Sequence, residues 1–370
     1  MMMRLEKHER MLFALLRASL NRTMVEADSF RTATDDDWKR CYQTAARQGV
    51  MALAWDGIMR LPSDIVLPRA LKLTWGMAVQ DYEKKYERYC RTVEELTDFY
   101  MRNGIMTVQL KGVGLSSYYP VPAHREGGDI DIFTYSNRPG QMTDREANEL
   151  ADRLMREQGI EVDMHSPKHS NFYYKGIPIE NHKTFLNVET YPVAVQVNAL
   201  LYKVLEPQFT YLMDGEYKVM IPPPTFNAMF LAFHASQHYG SGLALHHLCD
   251  WAVLINKHGI RLPAELKDKR FLEAIAAFTR LCNEYLGTSA PVSGGEVLAE
   301  EVLQEILHSP FPDKDVPVKG KWNILVYKTK RFIHRSKVSN RILYLPLWKR
   351  VWTSIVVHVC RPETIFRTGH

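Results

Sequence analysis

Two carboxylates stand one residue apart in Gly128-Asp129-Ile130-Asp131-Ile132-Phe133, inside an apolar run. On a strand, residues i and i+2 project from one face, so Asp129 and Asp131 point together with Ile130 and Ile132 behind them. Two acids that close repel, and a hard divalent cation between them removes the conflict. Upstream, Lys111-Gly112-Val113-Gly114 has the make-up of a tight turn that brings backbone N–H groups close to an anion. Ser116 and Ser117 follow in a short helix, and Arg125 stands in the loop before the acids. Lys111 and Arg125 suit the neutralisation of phosphate oxygens. Mg²⁺, or Mn²⁺ in its place, takes few protein carboxylates and fills its shell with phosphate and water.

A third acid completes a two-metal arrangement, and Glu180 in Ile179-Glu180-Asn181-His182 is the candidate. It lies on a later strand with His182 two residues on, hence on the same face. Glu180 suits a metal ligand, a base for an acceptor hydroxyl, or both. Asp163, on the preceding strand-like run, competes for this place. His182 reads as a hydrogen-bonding neighbour. A second cluster comprises His234 and His238 at i, i+4, then His246, His247 and Asp250. The i, i+4 histidines have metal-ligand spacing, and His246 and Asp250 share a helix face, as a His/Asp metallohydrolase would need. The plainer account is polar helix positions lining a cleft opposite the sheet, or an ordinary His–Asp hydrogen bond.

The elements that must position these residues follow from periodicity and punctuation. Residues 1–103 read as helical, with apolar helical spacing over Met11–Leu20 and from Leu71 to Tyr100; Asn103-Gly104 stops the long helix. Ile105–Leu110 and Asp129–Tyr135 read as strands. Thr143-Asp144-Arg145-Glu146 is a capping box opening a helix to about Gln158, closed by Gly159. Three strand-like runs follow: Ile160–His165, Asn171–Tyr174 and Ile177–His182. Helices are expected again at Phe226–Tyr239, Leu243–Lys257, Phe271–Leu286 and Gly295–Leu307, before a linker marked by Pro310, Pro312 and Pro317. The expected organisation is an N-terminal helical segment (1–103), an α/β core (104–221), a helical bundle (222–317) and a basic amphipathic tail (318–370).

Composition agrees with an ordinary globular chain of more than one unit: 370 residues, 46% apolar and 24% charged. No run is apolar enough to span a membrane, and the short apolar stretch Met11–Leu16 reads as an ordinary helix rather than a secretory leader. Five scattered cysteines without a CxxC pair argue against a disulfide framework or a Cys-based zinc site, and fit a reducing, cytoplasmic setting. The net charge of +5 is unevenly placed. Residues 319–370 hold twelve Lys/Arg against one acid, Glu363, so the remainder of the chain is net acidic. Trp322, Phe332, Tyr344, Trp348 and Trp352 interleave with these bases. That suits nucleic acid or an anionic membrane face, or a partly packed arm with a solvated basic side.

Taken in order, Leu110-Lys111-Gly112, Arg125-x-x-Gly128-Asp129-Ile130-Asp131-Ile132 and Ile179-Glu180-x-His182 resemble the polymerase-β-like nucleotidyltransferase superfamily, most of all its bacterial family of uncharacterised nucleotidyltransferases. Ala244–Trp251 resembles that family's helical segment with an Asp. The resemblance spans about residues 100–260. It implies an α+β fold, with a small twisted mixed sheet in an α/β catalytic core flanked by N- and C-terminal helices. It also implies Mg²⁺-dependent transfer of a nucleoside monophosphate from an NTP, with Asp129, Asp131 and Glu180 as metal carboxylates and Lys111-Gly112 at the phosphate turn. Val113 departs from the family's usual Ser or Gly; Ser116 or Ser117 would have to supply that hydroxyl, or phosphate would rest on Lys111 and backbone N–H groups. The acceptor is left open: small molecule, sugar phosphate, protein or RNA. The alternative is an inactive NTP-binding or partner-binding scaffold whose basic tail meets nucleic acid or membrane.

Overall fold

The structure, a computed structural model, describes residues 5–310 and 320–360. Five helices come first: α1 (Lys7–Asn21), α2 (Asp28–Arg31), α3 (Asp35–Arg47), α4 (Met51–Ile58) and α5 (Arg69–Arg102). Thr34 caps α3 with a reciprocal Asp37 capping box. The 34-residue α5 buries Trp75, Val79, Tyr86, Tyr89, Val93, Leu96 and Tyr100 along one stripe, the 3.6-residue repeat of a helix half sunk in a core. Its charged residues take the other face. Asn103 ends it and Gly104, at φ +79°, turns the chain into the sheet.

The middle of the chain alternates: β1 (Ile105–Gln109), α6 (Val113–Ser116), β2 (Ile130–Ser136), α7 (Asp144–Glu157), β3 (Val162–Asp163), β4 (His169–Tyr174) and β5 (Ile177–His182). The Thr143–Glu146 capping box opens α7 as its sequence requires. The five strands form one sheet in the order β1-β2-β5-β4-β3. The β2–β5 pair is parallel and the other pairs are antiparallel. The fold is therefore α+β with a small mixed sheet and helices on both sides in sequence. Several expected boundaries change: β2 begins at Ile130, which leaves Asp129 just before the strand, and the α-helix expected over Phe271–Leu286 ends at Leu281. β3 is two residues long rather than the Ile160–His165 run, and β4 begins at His169, two residues before the run at Asn171–Tyr174.

Behind the sheet, α7 brings polar groups into the interior. Asn148 Nδ2 lies 2.9 Å from Thr134 Oγ1, Asn181 Oδ1 and the His182 carbonyl. Asn181 Nδ2 and Ser170 Oγ both donate to Asp152 Oδ1, at 2.9 and 2.6 Å. All five side chains are buried. Although Asp152 Oδ2 has no hydrogen-bond partner among the described residues, a network of this kind fixes the register of β2, β4 and β5 against α7, because any slip would strand more buried polar groups.

Residues 183–221 carry elements that the sequence pattern does not announce: α8 (Pro192–Val204) and the hairpin β6 (Gln208–Leu212) with β7 (Tyr217–Ile221). The remaining helices are α9 (Pro224–His238), α10 (Leu245–His258), α11 (Lys269–Leu281), α12 (Glu296–His308), α13 (Lys321–Ser339) and α14 (Leu347–Cys360). α11 runs into a π-helical turn over Cys282–Leu286, which Gly287 closes at φ +76°. α9 covers the sheet, with the Phe230 ring 6.4 Å from the His182 ring and Phe226 4.9 Å from Phe185. One continuous apolar core extends from Met11 to Leu343.

Cys41, Cys90, Cys249 and Cys282 are buried free thiols. No described helix is long and apolar enough to cross a membrane. Pro312 and Pro317 of the expected linker, Lys319, Arg361, Glu363 and Arg367 of the tail, and the Cys360 side chain lie outside the described residues.

Candidate active site

β2 and β5 bring the acids together by register. Asp131 is the Cα partner of Glu180, and Phe133 that of His182, so Asp131, Glu180 and His182 share one face of the sheet. His182 Nε2 lies 3.0 Å from Asp131 Oδ1 and 3.6 Å from Glu180 Oε2. His169, opposite His182 on β4, places its own Nε2 3.6 Å from the same Glu180 oxygen. Asp129 precedes β2 at the mouth, its side chain 35% exposed, while Asp131 is wholly enclosed.

Lys111 follows β1, held there because Leu110 N–H still donates to the Asp131 carbonyl at 3.0 Å. Its Nζ is 3.0 Å from Asp131 Oδ2 and 3.7 Å from Asp129 Oδ1. The positive charge between the two acids is thus a tethered ammonium. Gly112, at φ +55° and ψ −123°, makes the reversal; that conformation is closed to residues with a Cβ, and an added Cβ would stand 3.3 Å from the Asp129 carbonyl oxygen. Gly114 is required by contact instead, since a Cβ there would meet Gln109 Cβ and Ile221 Cγ2 at 2.8 Å.

The electrostatics follow from this packing. Burial opposes charge on Asp131, but Lys111 and the His182 hydrogen bond hold its carboxyl far below the usual carboxylate range. Asp129 moves up, pushed by burial and by Asp131 against the pull of Lys111. On Glu180 burial is again opposed, by His182 and His169, and its carboxyl is lowered. Burial also works against the charge on Lys111, yet Asp131 and Asp129 raise its ammonium above its ordinary range.

Other expected site residues are placed differently. Ser116 Oγ donates to the Val113 carbonyl at 2.5 Å and meets Tyr86 Oη at 2.9 Å; Ser117 Oγ donates to the Gly114 carbonyl at 2.9 Å. Both hydroxyls are tied to their own turn. Arg125 turns to α10. It grips Asp250 of α10 with two hydrogen bonds, Nε to Oδ1 at 2.9 Å and a terminal nitrogen to Oδ2 at 2.8 Å. Tyr119 Oη donates to the same Oδ1 at 2.5 Å. Asp250 is therefore the anchor of the loop before the acids, not a partner of His246. Asp163 sits on β3, two strands beyond Glu180, with its carboxylate 2.5 Å from His165 Nδ1, so it does not compete for the third position.

The loop carrying Asp129 is pinned further from α4 and α5. Lys85 Nζ donates to the Gly127 carbonyl at 2.5 Å and Tyr89 Oη to the Gly128 carbonyl at 3.0 Å. His124 bridges Asp56 at 2.9 Å and Glu83 at 3.2 Å. Sequence reasoning missed Lys168 and His169. Lys168 is buried enough to lower its ammonium pKa, with Asp131 and Glu180 acting in the opposite sense across the site. The alternation of β4 extends upstream through Ser170 and Lys168-His169, a signal hidden by the polar character of those residues.

In front of Lys111 and Asp129 opens a cleft of about 600 Å³, whose far wall carries His234, His238, His246 and His247. The donor set divides by chemistry. Asp129, Asp131 and Glu180 are hard oxygen ligands suited to Mg²⁺, and oxygens of Asp131 and Glu180 with a nitrogen of His182 lie within 4.8 Å of one another. The residues fit such an ion.

No curated protein matches the chain. Among solved structures, an antigenic nucleotidyltransferase-like protein from Paracoccidioides brasiliensis is 14% identical, with a TM-score of 0.38, over 55% of this chain and 94% of its own. The family described as "Uncharacterised nucleotidyltransferase" matches residues 34–287, well over half of the sequence and the whole of the site. The chain belongs to the uncharacterised nucleotidyltransferase family.

Proposed function

We propose that the protein is a Mg²⁺-dependent nucleotidyltransferase that moves a nucleoside monophosphate from an NTP to an acceptor hydroxyl or phosphate. One observation carries this reading: Asp131 and Glu180 are register partners on parallel strands, with Asp129 and Lys111 beside them at the floor of an open cleft. The acceptor oxygen forms a bond to the α-phosphorus, the α–β bridging bond breaks, and pyrophosphate leaves. Asp129, Asp131 and Glu180 would hold Mg²⁺, which neutralises charge on the attacking and leaving oxygens. Glu180, ionised and flanked by two imidazoles, is placed to take the acceptor proton. His182 orients Asp131. Lys111 and Lys168 supply positive charge toward the phosphates.

The test is incubation of the purified protein with each NTP, labelled at the α-phosphate, in the presence of cell lysate, followed by mass spectrometry and pyrophosphate measurement. Wild type should yield a nucleotidylated species that Asp129→Asn/Asp131→Asn does not. The absence of Mg²⁺-dependent NTP binding and of any transfer product would overturn the reading.

A second reading, a non-catalytic scaffold that binds an NTP or a partner, is favoured by the Ser116 and Ser117 hydroxyls, which are turned into their own turn rather than toward a phosphate. It wins if metal–nucleotide binding survives the double Asp substitution.

A further inference from the structure

Three imidazoles converge on the cleft wall opposite the carboxylates. His234 and His238 lie one turn apart on α9, and His247 reaches in from the first turn of α10. Their ring centroids are 4.6 Å (His234–His238), 5.3 Å (His234–His247) and 4.9 Å (His238–His247) apart. One nitrogen from each lies within 4.8 Å of the others. His247 Nδ1 stands at the backbone of Ala244, 3.2 Å from its amide nitrogen and 3.3 Å from its carbonyl oxygen; the tautomer that donates to the carbonyl leaves the Nε2 lone pair for a metal shared with the other two rings. Metal-bound histidines commonly hold their second nitrogen in this way. His246 stacks on His247 with centroids 3.9 Å apart and walls the group. Burial keeps His234 and His247 neutral, as ligation requires.

No carboxylate belongs to this trio, so it is the wrong chemistry for Mg²⁺ and the right one for a borderline d-block cation. We propose that His234, His238 and His247 form a three-imidazole site for a divalent d-block cation of the Zn²⁺ class, with the fourth position open to the cleft. The site is distinct in ligand type from the carboxylate set and does not depend on the nucleotidyl-transfer reading.

Cobalt titration of the full chain, stripped of metal beforehand, tests it. One Co²⁺ per chain should bind with visible d–d bands of tetrahedral strength, and Zn²⁺ should displace it. His247→Gln should weaken binding by roughly 100-fold or more, beyond what loss of an outer-shell partner costs. His238→Gln, at a half-buried position, should do the same with folding preserved by circular dichroism. Asp131→Asn/Glu180→Gln should leave the bands intact. A weak octahedral spectrum, affinity indifferent to both His variants, or bands lost with the carboxylates would overturn the proposal.

An independent observation concerns α14. Leu347, Trp348, Val351, Trp352, Ile355 and Val356 are each at least 40% exposed, and their spacing puts them on one helix face. Lys349, Thr353 and Ser354 take the other face together with Arg350, whose guanidinium is half buried and donates to Asn340 Oδ1 at 2.9 Å. The surrounding segment carries twelve bases against one acid. We infer that α14 lies in the plane of an anionic lipid bilayer, apolar face down, with bases at the headgroups. Nucleic acid gives Val351, Ile355 and Val356 nothing to contact. A second copy would bring two strongly basic surfaces together.

Co-sedimentation with phosphatidylcholine vesicles, with and without phosphatidylglycerol, tests it. Binding should be at least about tenfold tighter to the anionic vesicles, fall with salt, and be lost in Trp352→Asp/Ile355→Asp while the fold is retained. Equal binding to both vesicles, binding that survives the substitution, a dimer that the substitution dissolves, or preference for RNA over vesicles would each overturn it.

Discussion

The Lys111 ammonium lies 3.0 Å from the Asp131 carboxylate and supplies the counter-charge that the acid pair demands. Removing it leaves the buried anion with the His182 hydrogen bond but without its ammonium partner, a loss that costs about 3–5 kcal/mol in comparable buried pairs. Lys111→Met should therefore unfold at markedly lower urea concentration in EDTA, and Mg²⁺ should restore more stability to the variant than to wild type. Equal denaturation midpoints for the two proteins in EDTA would show that the ammonium has no such role.

Arg125 and Asp250, 125 residues apart in sequence, should behave as one unit. Arg125→Ala alone is expected to cost about 3–5 kcal/mol, because Asp250 stays buried with only Tyr119. The double variant Arg125→Ala/Asp250→Ala should cost less than the sum of the singles. Strict additivity in chemical denaturation would contradict a coupled pair.

Gly112→Ala forces a Cβ into a backbone conformation reserved for glycine, at about 1–3 kcal/mol. The turn can relax only by moving Lys111 or Asp129. Nucleotide affinity should fall along with stability. A variant as stable as wild type with unaltered affinity would mean that the turn has other conformations open to it.

His124 gives a pH signature. Burial disfavours its charge, but Asp56 and Glu83 outweigh burial and raise its pKa in the folded state. A raised histidine adds stability that is fully present below its unfolded value of about 6.5 and fades as pH rises through the folded value. Wild type should thus lose stability relative to His124→Gln as pH rises above about 6.5 and through the raised folded-state value. Parallel stability curves for the two proteins would refute the assignment.

The acids were legible because chemistry, not packing, dictates their spacing: Asp131 on β2 with Asp129 just before it, Glu180 and His182 on β5. The helix caps at Thr143 and the stop at Asn103-Gly104 were legible for a similar local reason. Arg125 was not, because its partner Asp250 is distant and either end alone looks like an ordinary surface charge. Lys168 and His169 were hidden by their polarity at the start of a strand. In α8, Val193, Val195 and Val197 favour a strand locally, and only the burial of Ala194, Val197 and Leu201 against neighbouring elements makes it a helix. The His246–Asp250 pairing failed because a shared helix face does not say which neighbour a side chain prefers.

The parallel β2–β5 pairing has a consequence for the order of assembly. Asp131 and His182 touch across 51 residues, with α7, β3 and β4 made between them. A growing chain that has emerged only through β2 holds Lys111, Asp129 and Asp131 but no Glu180. Such an intermediate has Lys111 beside Asp129 and Asp131 and lacks the third carboxylate. The three-acid cluster is complete only when β5 docks between β2 and β4, a non-local pairing that is slow to form.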